Sequence, residues 1–444
     1  RNVTRVFRRI FSEPNATART TAPDPGSESI TVSPPLSSGG NDILERLSAE
    51  SPRFAGLAAT EAGLLEHLDP AKFETLDYRY QLSAAIETST DFRGKLAQLR
   101  RTWHSEILRI VVADIYGTIT TRRSRTEQTA LAEASIDAAF SIADFEMSRR
   151  LLITETMPKM AALALGKLGG GSVDLDSDLD LVLAYDDSAA LPVGDIRHAE
   201  FFSRFTELFV TALSSMTRDG SLYRVDLRLR PHGKNGPSSI SLRALADYTA
   251  NEAAIWELLA YVKLRGAGGD PHLAQTAEYS IREIVQKRAS LIDAAALSSE
   301  TLSVRRRLEK ERAGLLKASE VDIKYGEGGL LDIYFATRFL QLRDQVPDMP
   351  ESRSTGSILD RLLEKGSVTA DDHAAFASGY AFLSELDHHI RITIGRNTRV
   401  PFTNPRVMSL IAKRMNMSSV EEIVERLTIH RMEIRQSFEN VLGS

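Results

Sequence analysis

Residues 160–187 read MAALALGKLGGGSVDLDSDLDLVLAYDD, and this stretch decides the expected fold. Residues 160–165 form a short apolar run that suits a buried strand and stops at Gly166. Residues 167–177, which hold three consecutive glycines, cannot continue it, so the chain must turn there. From Asp178 the sequence alternates Asp-Leu-Asp-Leu and becomes wholly apolar through Val182, Leu183 and Ala184. Period two on a second strand places Asp178 and Asp180 on one face, with Leu179 and Leu181 on the other. The first face is expected to be acidic and the second to be core.

Alternate residues on a strand face lie roughly 6.6 Å apart, and two carboxylates converging to about 5 Å repel by around 3 kcal/mol at an effective dielectric near 20. A divalent cation reverses that sign. Oxygen-only ligands, with no Cys or His nearby, favour Mg²⁺, which binds one or two carboxylates and completes its shell with water and substrate phosphates. Glycines let backbone N–H groups approach a polyphosphate closely. A bare Asp-x-Asp could equally be a solvated strand end beside a loop. Residues 221–231, SLYRVDLRLRP, supply context: Tyr223, Val225, Leu227 and Leu229 alternate with Arg224, Asp226, Arg228 and Arg230. This predicts a half-buried strand with Asp226 as a third carboxylate and Arg228 and Arg230 as phosphate-binding forks. The plainer alternative is an exposed ion-pair ladder.

A glycine turn, a strand-borne Asp-x-Asp and a third Asp on a later strand resemble the nucleotidyltransferase superfamily that includes DNA polymerase beta. Four ordered strings are more specific: GKLGGGSVDLDSDLDLVLAYD at 166–186, YRVDLRLRPHGKNGP at 223–237, NEAAIWELLAYVKLRGAGGDP at 251–271 and DIKYGEGGLLDI at 322–333. Together they closely resemble the glutamine synthetase adenylyltransferase and adenylyl-removing family, over residues 41–444. The resemblance implies an α+β fold, a polymerase beta-like nucleotidyltransferase domain with a mixed sheet, flanked by helical domains. It implies Asp178, Asp180 and Asp226 as catalytic Mg²⁺ ligands. Gly169, Gly170, Ser177, Arg228 and Arg230 are the candidate nucleotide-binding residues, ATP the substrate, and glutamine synthetase the partner, with the PII signal protein as a further one.

With 444 residues, 42% hydrophobic and 26% charged, the chain has room for two or three domains. Zero cysteines exclude disulfides, thiolate metal sites and a Cys nucleophile, and fit a reducing cytoplasm. A net charge of −5 and a pI near 6.1 argue against nucleic acid as partner. No apolar run approaches the roughly 20 residues that span a bilayer.

The chain opens on Arg1 rather than Met. Its first residues, RNVTRVFRRIF, could be an Arg-rich targeting peptide, but they echo HRMEIRQSFENVL at 430–442, as though residues 1–12 were the last helix of a preceding copy. Residues 13–42, rich in Ser, Thr, Pro and Gly, have the composition of a disordered linker. Residues 43–159 read as a helical region, 160–270 as the catalytic domain and 271–444 as a helical bundle. Within these, Asp195 is the expected N-cap of a helix reaching about Met216. Residues 302–316 form a charged helix, His104 is simplest as a packed or surface helix residue, and the pair His388-His389 is simplest as a helix surface pair. Trp256 is expected in the core, with Lys263 and Arg265 within reach of phosphate. The family has Ile-Glu-Phe where this chain has Ile333-Tyr334-Phe335, so Tyr334 is given no catalytic role.

Details of the strings resemble the C-terminal, adenylylating half of the tandem family proteins. On that reading AMP passes from ATP to a tyrosine hydroxyl of glutamine synthetase. Phosphorolytic removal of AMP, another nucleotidyl transfer, or a non-catalytic regulatory module of the same family stay open as alternatives.

Overall fold

The computed structural model describes residues 38–60, 62–188, 190–194, 196–313 and 320–443. The expectations for residues 1–37 and for Asp195 as a helix cap fall outside these residues. The N-terminal helical region comprises α1 (Ser38–Glu50), α2 (Pro52–Thr60), α3 (Ala62–Leu65), α4 (Tyr78–Glu87), α5 (Phe92–Ile115) and α6 (Thr121–Leu151). Helix α1 begins inside the stretch read as linker, so residues 38–42 are helical. Asp77, Asp91 and Thr120 start α4, α5 and α6 by accepting the N–H of Tyr80, Gly94 and Arg123, which satisfies donors the first turn leaves free.

Among the described residues every strand lies between residues 160 and 269. These are β1 (Met160–Ala164), β2 (Leu179–Tyr185), β3 (Val225–Asp226), β4 (Ile240–Ser241) and β5 (Arg265–Gly269). The order is β3-β2-β1-β5, with β4 also on β2. β1 runs antiparallel to β2 and β5, while β3 and β4 pair in parallel with the two ends of β2, so the sheet is mixed. The one-turn helix α7 (Gly166–Gly169) and α8 (His198–Ser214) join these strands, and α9 (Leu242–Asn251) and α10 (Ile255–Tyr261) follow β4. Two sequence expectations change here. β2 begins at Leu179, so Asp178 stands just before it. The 221–231 segment pairs only through Val225 and Asp226, because Asp226 Oδ1 accepts the Arg228 N–H at 2.9 Å and turns the chain away from the sheet.

The C-terminal bundle is α11 (Pro271–Ala289), α12 (Ala294–Ala313), α13 (Leu330–Arg343), α14 (Thr355–Glu364), α15 (Ala370–Ile394), α16 (Pro405–Arg414) and α17 (Val420–Gly443). Helix α12 starts earlier than the charged run suggested, and residues 314–319 at the end of that expectation lie outside the described residues. Among the described residues no helix is long and apolar enough to cross a membrane.

Two hydrophobic cores meet at the sheet. Leu179, Leu181, Leu183 and Tyr185 of β2 pack with the N-terminal helices and α8. Val182 and Ala184 pack with α10 and the C-terminal bundle, which Trp256 joins. Period two therefore holds, but both faces of β2 are covered. Asp180 shares parity with Val182 and Ala184, so it faces the C-terminal bundle. That places the candidate site between sheet and bundle.

Candidate active site

The turn after β1 is shaped around Asp180. Gly166 has φ of +56°, and a Cβ added there would lie 1.8 Å from Asp180 Oδ2. A side chain at 166 would thus face both a left-handed backbone and the carboxylate itself. We expect Gly166→Ala to lower the melting temperature by several degrees. An unaltered melting temperature would refute this account of the turn.

Asp180 on β2 and Asp226 on β3 are register partners in the parallel pair. Both are buried, at 7% and 8% exposure. Asp180 Oδ1 is buried without a hydrogen-bond partner. Burial first, then the charges of Asp226 and Asp178, push the Asp180 carboxyl well above the usual carboxylate range. Asp178 is held differently. Arg396 forks onto it at 2.6 and 2.9 Å and Arg224 adds a bond of 2.8 Å, so these cations, acting against burial, keep its carboxyl low.

A cavity of about 150 Å³ opens in front of Asp178 and Asp180. Six cations line it: Arg125, Lys167, Lys263, Lys324, Arg391 and Arg396, against Asp176, Asp178, Asp180 and Asp387. The lysines crowd one another. Burial and the neighbouring Lys167 and Arg391 bring Lys324 down to about 7, and burial with Arg338 brings Lys263 to about 7. Lys167 is likewise lowered by burial and Arg391, although it donates to Asp387 Oδ2 at 2.9 Å. Buried cations that depress one another are a seat for a polyanion.

Ser177 lines this cavity, its Oγ accepting the Asp174 N–H at 3.1 Å. The other expected nucleotide contacts are placed differently. The Gly169 N–H donates to Leu165 O at 2.7 Å and that of Gly170 to Gly166 O at 3.4 Å, so both serve α7. A Cβ at Gly169 would meet Lys263 O at 2.8 Å, and one at Gly170 would meet Lys263 Nζ at 2.9 Å. These glycines admit the Lys263 segment. Arg228 Nε donates to Asp226 Oδ1 at 2.7 Å, whereas Arg230 donates to Leu227 O and Gly236 O, away from the cavity wall. The two arginines do not share a strand face. Tyr334 lines the cavity and donates to Leu259 O at 3.3 Å, with the Lys263 ammonium 5.8 Å from its ring centre.

Lys324, Arg391 and Arg396 were not singled out from sequence. Lys324 lay inside a quoted string, DIKYGEGGLLDI, and a Lys beside a glycine turn was the signal available. His388 and His389 are not a surface pair; both are buried, at 0% and 4% exposure. His104 packs edge-on against Trp103.

Among the described residues no three acidic or histidine side chains converge to form a metal cage. The donor set nevertheless fits a hard cation. The orphaned Asp180 oxygen and the repulsion between Asp180 and Asp226 are what a divalent ion relieves, and every available donor is oxygen.

A family model described as glutamate-ammonia ligase adenylyltransferase matches residues 42–280. The chain belongs to that family. A second model, described as PII-uridylyltransferase, matches residues 301–442. Curated relatives bear the name bifunctional glutamine synthetase adenylyltransferase/adenylyl-removing enzyme. One from Nitrosomonas europaea is 30% identical over 405 residues, covering 87% of this chain and 42% of its own length. Another from Caulobacter vibrioides is 30% identical over 407 residues, covering 90% and 40%. One from Bradyrhizobium diazoefficiens is 26% identical over 406 residues, covering 88% and 40%. The chain thus spans about two fifths of the length of the curated relatives it matches. The first match covers every strand and three of the six cavity cations, Arg125, Lys167 and Lys263; the second covers the bundle that supplies Lys324, Arg391 and Arg396.

Proposed function

We propose that this chain is a Mg²⁺-dependent adenylyltransferase that moves AMP from ATP to a tyrosine hydroxyl of glutamine synthetase, in the cytoplasm. The tyrosine oxygen forms a bond to the α-phosphorus, the bond to the β-phosphate oxygen breaks, and pyrophosphate leaves. The observation that carries this reading is the buried Asp180–Asp226 pair, of which Asp180 lines a cavity with surplus positive charge, in a member of this family.

Asp180 and Asp226 would hold Mg²⁺, joined by Asp178 once Arg396 releases it. When bound, the ion neutralises phosphate charge and aligns the α-phosphate with its attacker and leaving group. Lys324, Lys263 and Arg396 receive the pyrophosphate oxygens. Asp226 orients the tyrosine hydroxyl and accepts its proton. Residues 160–270 carry the transfer, and the flanking helical regions complete and cover the site. The PII signal protein is proposed as a regulatory partner, supported by the similarity of residues 301–442 to a PII-uridylyltransferase.

The test is label transfer from α-³²P-ATP with Mg²⁺ to unmodified glutamine synthetase. We expect labelled synthetase from the wild type and a loss on the order of 10²- to 10³-fold in Asp178→Asn. ADP released from adenylylated synthetase on adding phosphate, without forward transfer, would assign the removing reaction. Full turnover by Asp178→Asn would refute the site.

A further inference from the structure

Outside the cavity lies a buried group that the transfer chemistry does not use. His388, in the C-terminal third of α15, is fully buried between two buried carboxylates. Its Nδ1 lies 2.8 Å from Asp174 Oδ1 and its Nε2 lies 2.8 Å from Asp114 Oδ2. Both partners are acceptors when ionised, so both bonds form only if both ring nitrogens carry hydrogen. With Asp114 and Asp174 both held low, the ring between them is an imidazolium.

The bridge spans separate parts of the fold. Asp114 belongs to α5, and its other oxygen accepts Arg414 of α16 at 2.7 Å. Arg414 in turn reaches Glu50 of α1 at 2.9 Å. On the other side, Asp174 Oδ2 accepts Arg125 Nε of α6 at 2.8 Å, and its Oδ1 also accepts the Leu175 N–H at 2.8 Å. Asp174 further donates its own N–H to Ser177 Oγ, while Arg391 of α15 donates to Leu175 O at 2.7 Å. Asp174 is therefore the centre of the loop that leads into Ser177 and Asp178. His388 does not line the cavity, whereas Asp387 and Arg391 beside it do.

We propose that His388 is a positioning residue: by bridging Asp114 to Asp174 it anchors the 174–178 loop to the C-terminal bundle and sets where Ser177 and Asp178 stand for the nucleotide. The inference rests on the adenylyltransferase reading only for what the loop binds. Removing a buried cation between two carboxylates leaves like charges facing each other, so the loop must shift or Asp174 must protonate. The charged groups facing His388 are Asp114, Asp174, Arg125 and Arg414, with Glu385, Asp387, His389 and Arg391 on its own helix and Lys167 beyond Asp387. Burial alone would strip its proton, but Asp114 and Asp174 more than reverse this and hold it to about 9.

The experiment uses the full chain and His388→Gln. We expect ATP KM to rise about tenfold and amide exchange across 172–178 to speed up about tenfold, while exchange in β1 and β2 stays put. In the wild type, ATP KM should climb an extra step between pH 8 and 10 that His388→Gln lacks. A folded His388→Gln with wild-type ATP KM would overturn the proposal whatever its loop exchange, because a purely structural bridge loosens the loop or lowers stability without moving KM. Should His388→Gln fail to fold, ¹⁵N imidazole spectra of the wild type at pH 7.5, together with Asp114→Asn, decide. Two protonated ring nitrogens and a raised ATP KM in Asp114→Asn support positioning, and a neutral ring or an unchanged KM overturns it. If the wild type binds no ATP, the transfer reading falls, and loop exchange still judges whether His388 anchors the loop.

Discussion

Asp180→Asn should lose AMP transfer by about 10²- to 10³-fold, yet melt at the same temperature as the wild type or higher. On the proposed function, the activity loss follows from removing a carboxylate that would hold the Mg²⁺ that offsets phosphate charge. Stability moves the other way because Asp180 is buried, has an oxygen without a hydrogen-bond partner, and stands beside Asp226. The sign can be worked through. A carboxyl whose folded-state pKa is raised binds its proton more tightly in the fold than in the unfolded chain, so stability is lost as pH climbs above the unfolded value, about 3.9. At neutral pH the wild type bears that loss, while an amide bears none and can donate to Asp226. Thermal melts of both proteins from pH 5 to 8 should therefore converge at the acid end. A variant that melts several degrees lower across the range, or that keeps its turnover, would show that Asp180 is an ordinary structural carboxylate. Such an exchange of stability for activity is expected where a site holds unsatisfied charge for a ligand.

The parts of this site legible in sequence are those whose cause is local. Alternation through Leu179, Leu181 and Leu183 located β2 and the parity of Asp180, because a strand needs one buried set at period two. The 221–231 run alternates just as cleanly but forms two paired residues, since nothing in periodicity reports that Asp226 would capture the Arg228 amide. Long-range pairing was less visible. In α15 the polar residues Ser384, Asp387, His388, His389, Arg391 and Thr393 are all buried. By pattern His388 and His389 read as a surface pair, because a buried charge is recognisable only once its counter-charge is known. Those counter-charges are Asp114, Asp174 and Lys167, on elements far back in the chain. The same applies to Lys324 and Arg396, which reach β2 only because the bundle covers that face of the sheet.

That cover depends on the glycine turn before α13, and Gly328→Ala should disrupt it more than a glycine change elsewhere. Gly328 has φ of +67°, and a Cβ there would lie 1.9 Å from Arg431 O, 2.5 Å from its carbonyl carbon and 2.6 Å from its Cα. These are backbone atoms of α17, so no rotamer change relieves the overlap. The left-handed backbone costs roughly 1–2 kcal/mol for a residue with a side chain, and forced separation of packed elements adds about 1–3 kcal/mol. The turn also carries Lys324: Asp322 Oδ1 accepts the Lys324 and Tyr325 N–H groups at 2.9 and 2.8 Å, and Asp332 Oδ2 accepts the Gly328 N–H at 2.7 Å. Pushing the turn off α17 therefore moves a cavity cation as well as a helix. Gly366→Ala is the comparison, with φ of +74° and nothing within 4 Å of the added carbon. We expect it to cost only the backbone term and to leave ATP binding intact, while Gly328→Ala melts several degrees lower still and binds ATP more weakly. Equal melting losses in the two variants would mean that α17 yields without strain. Unchanged ATP affinity in Gly328→Ala would mean that the turn does not set the position of Lys324.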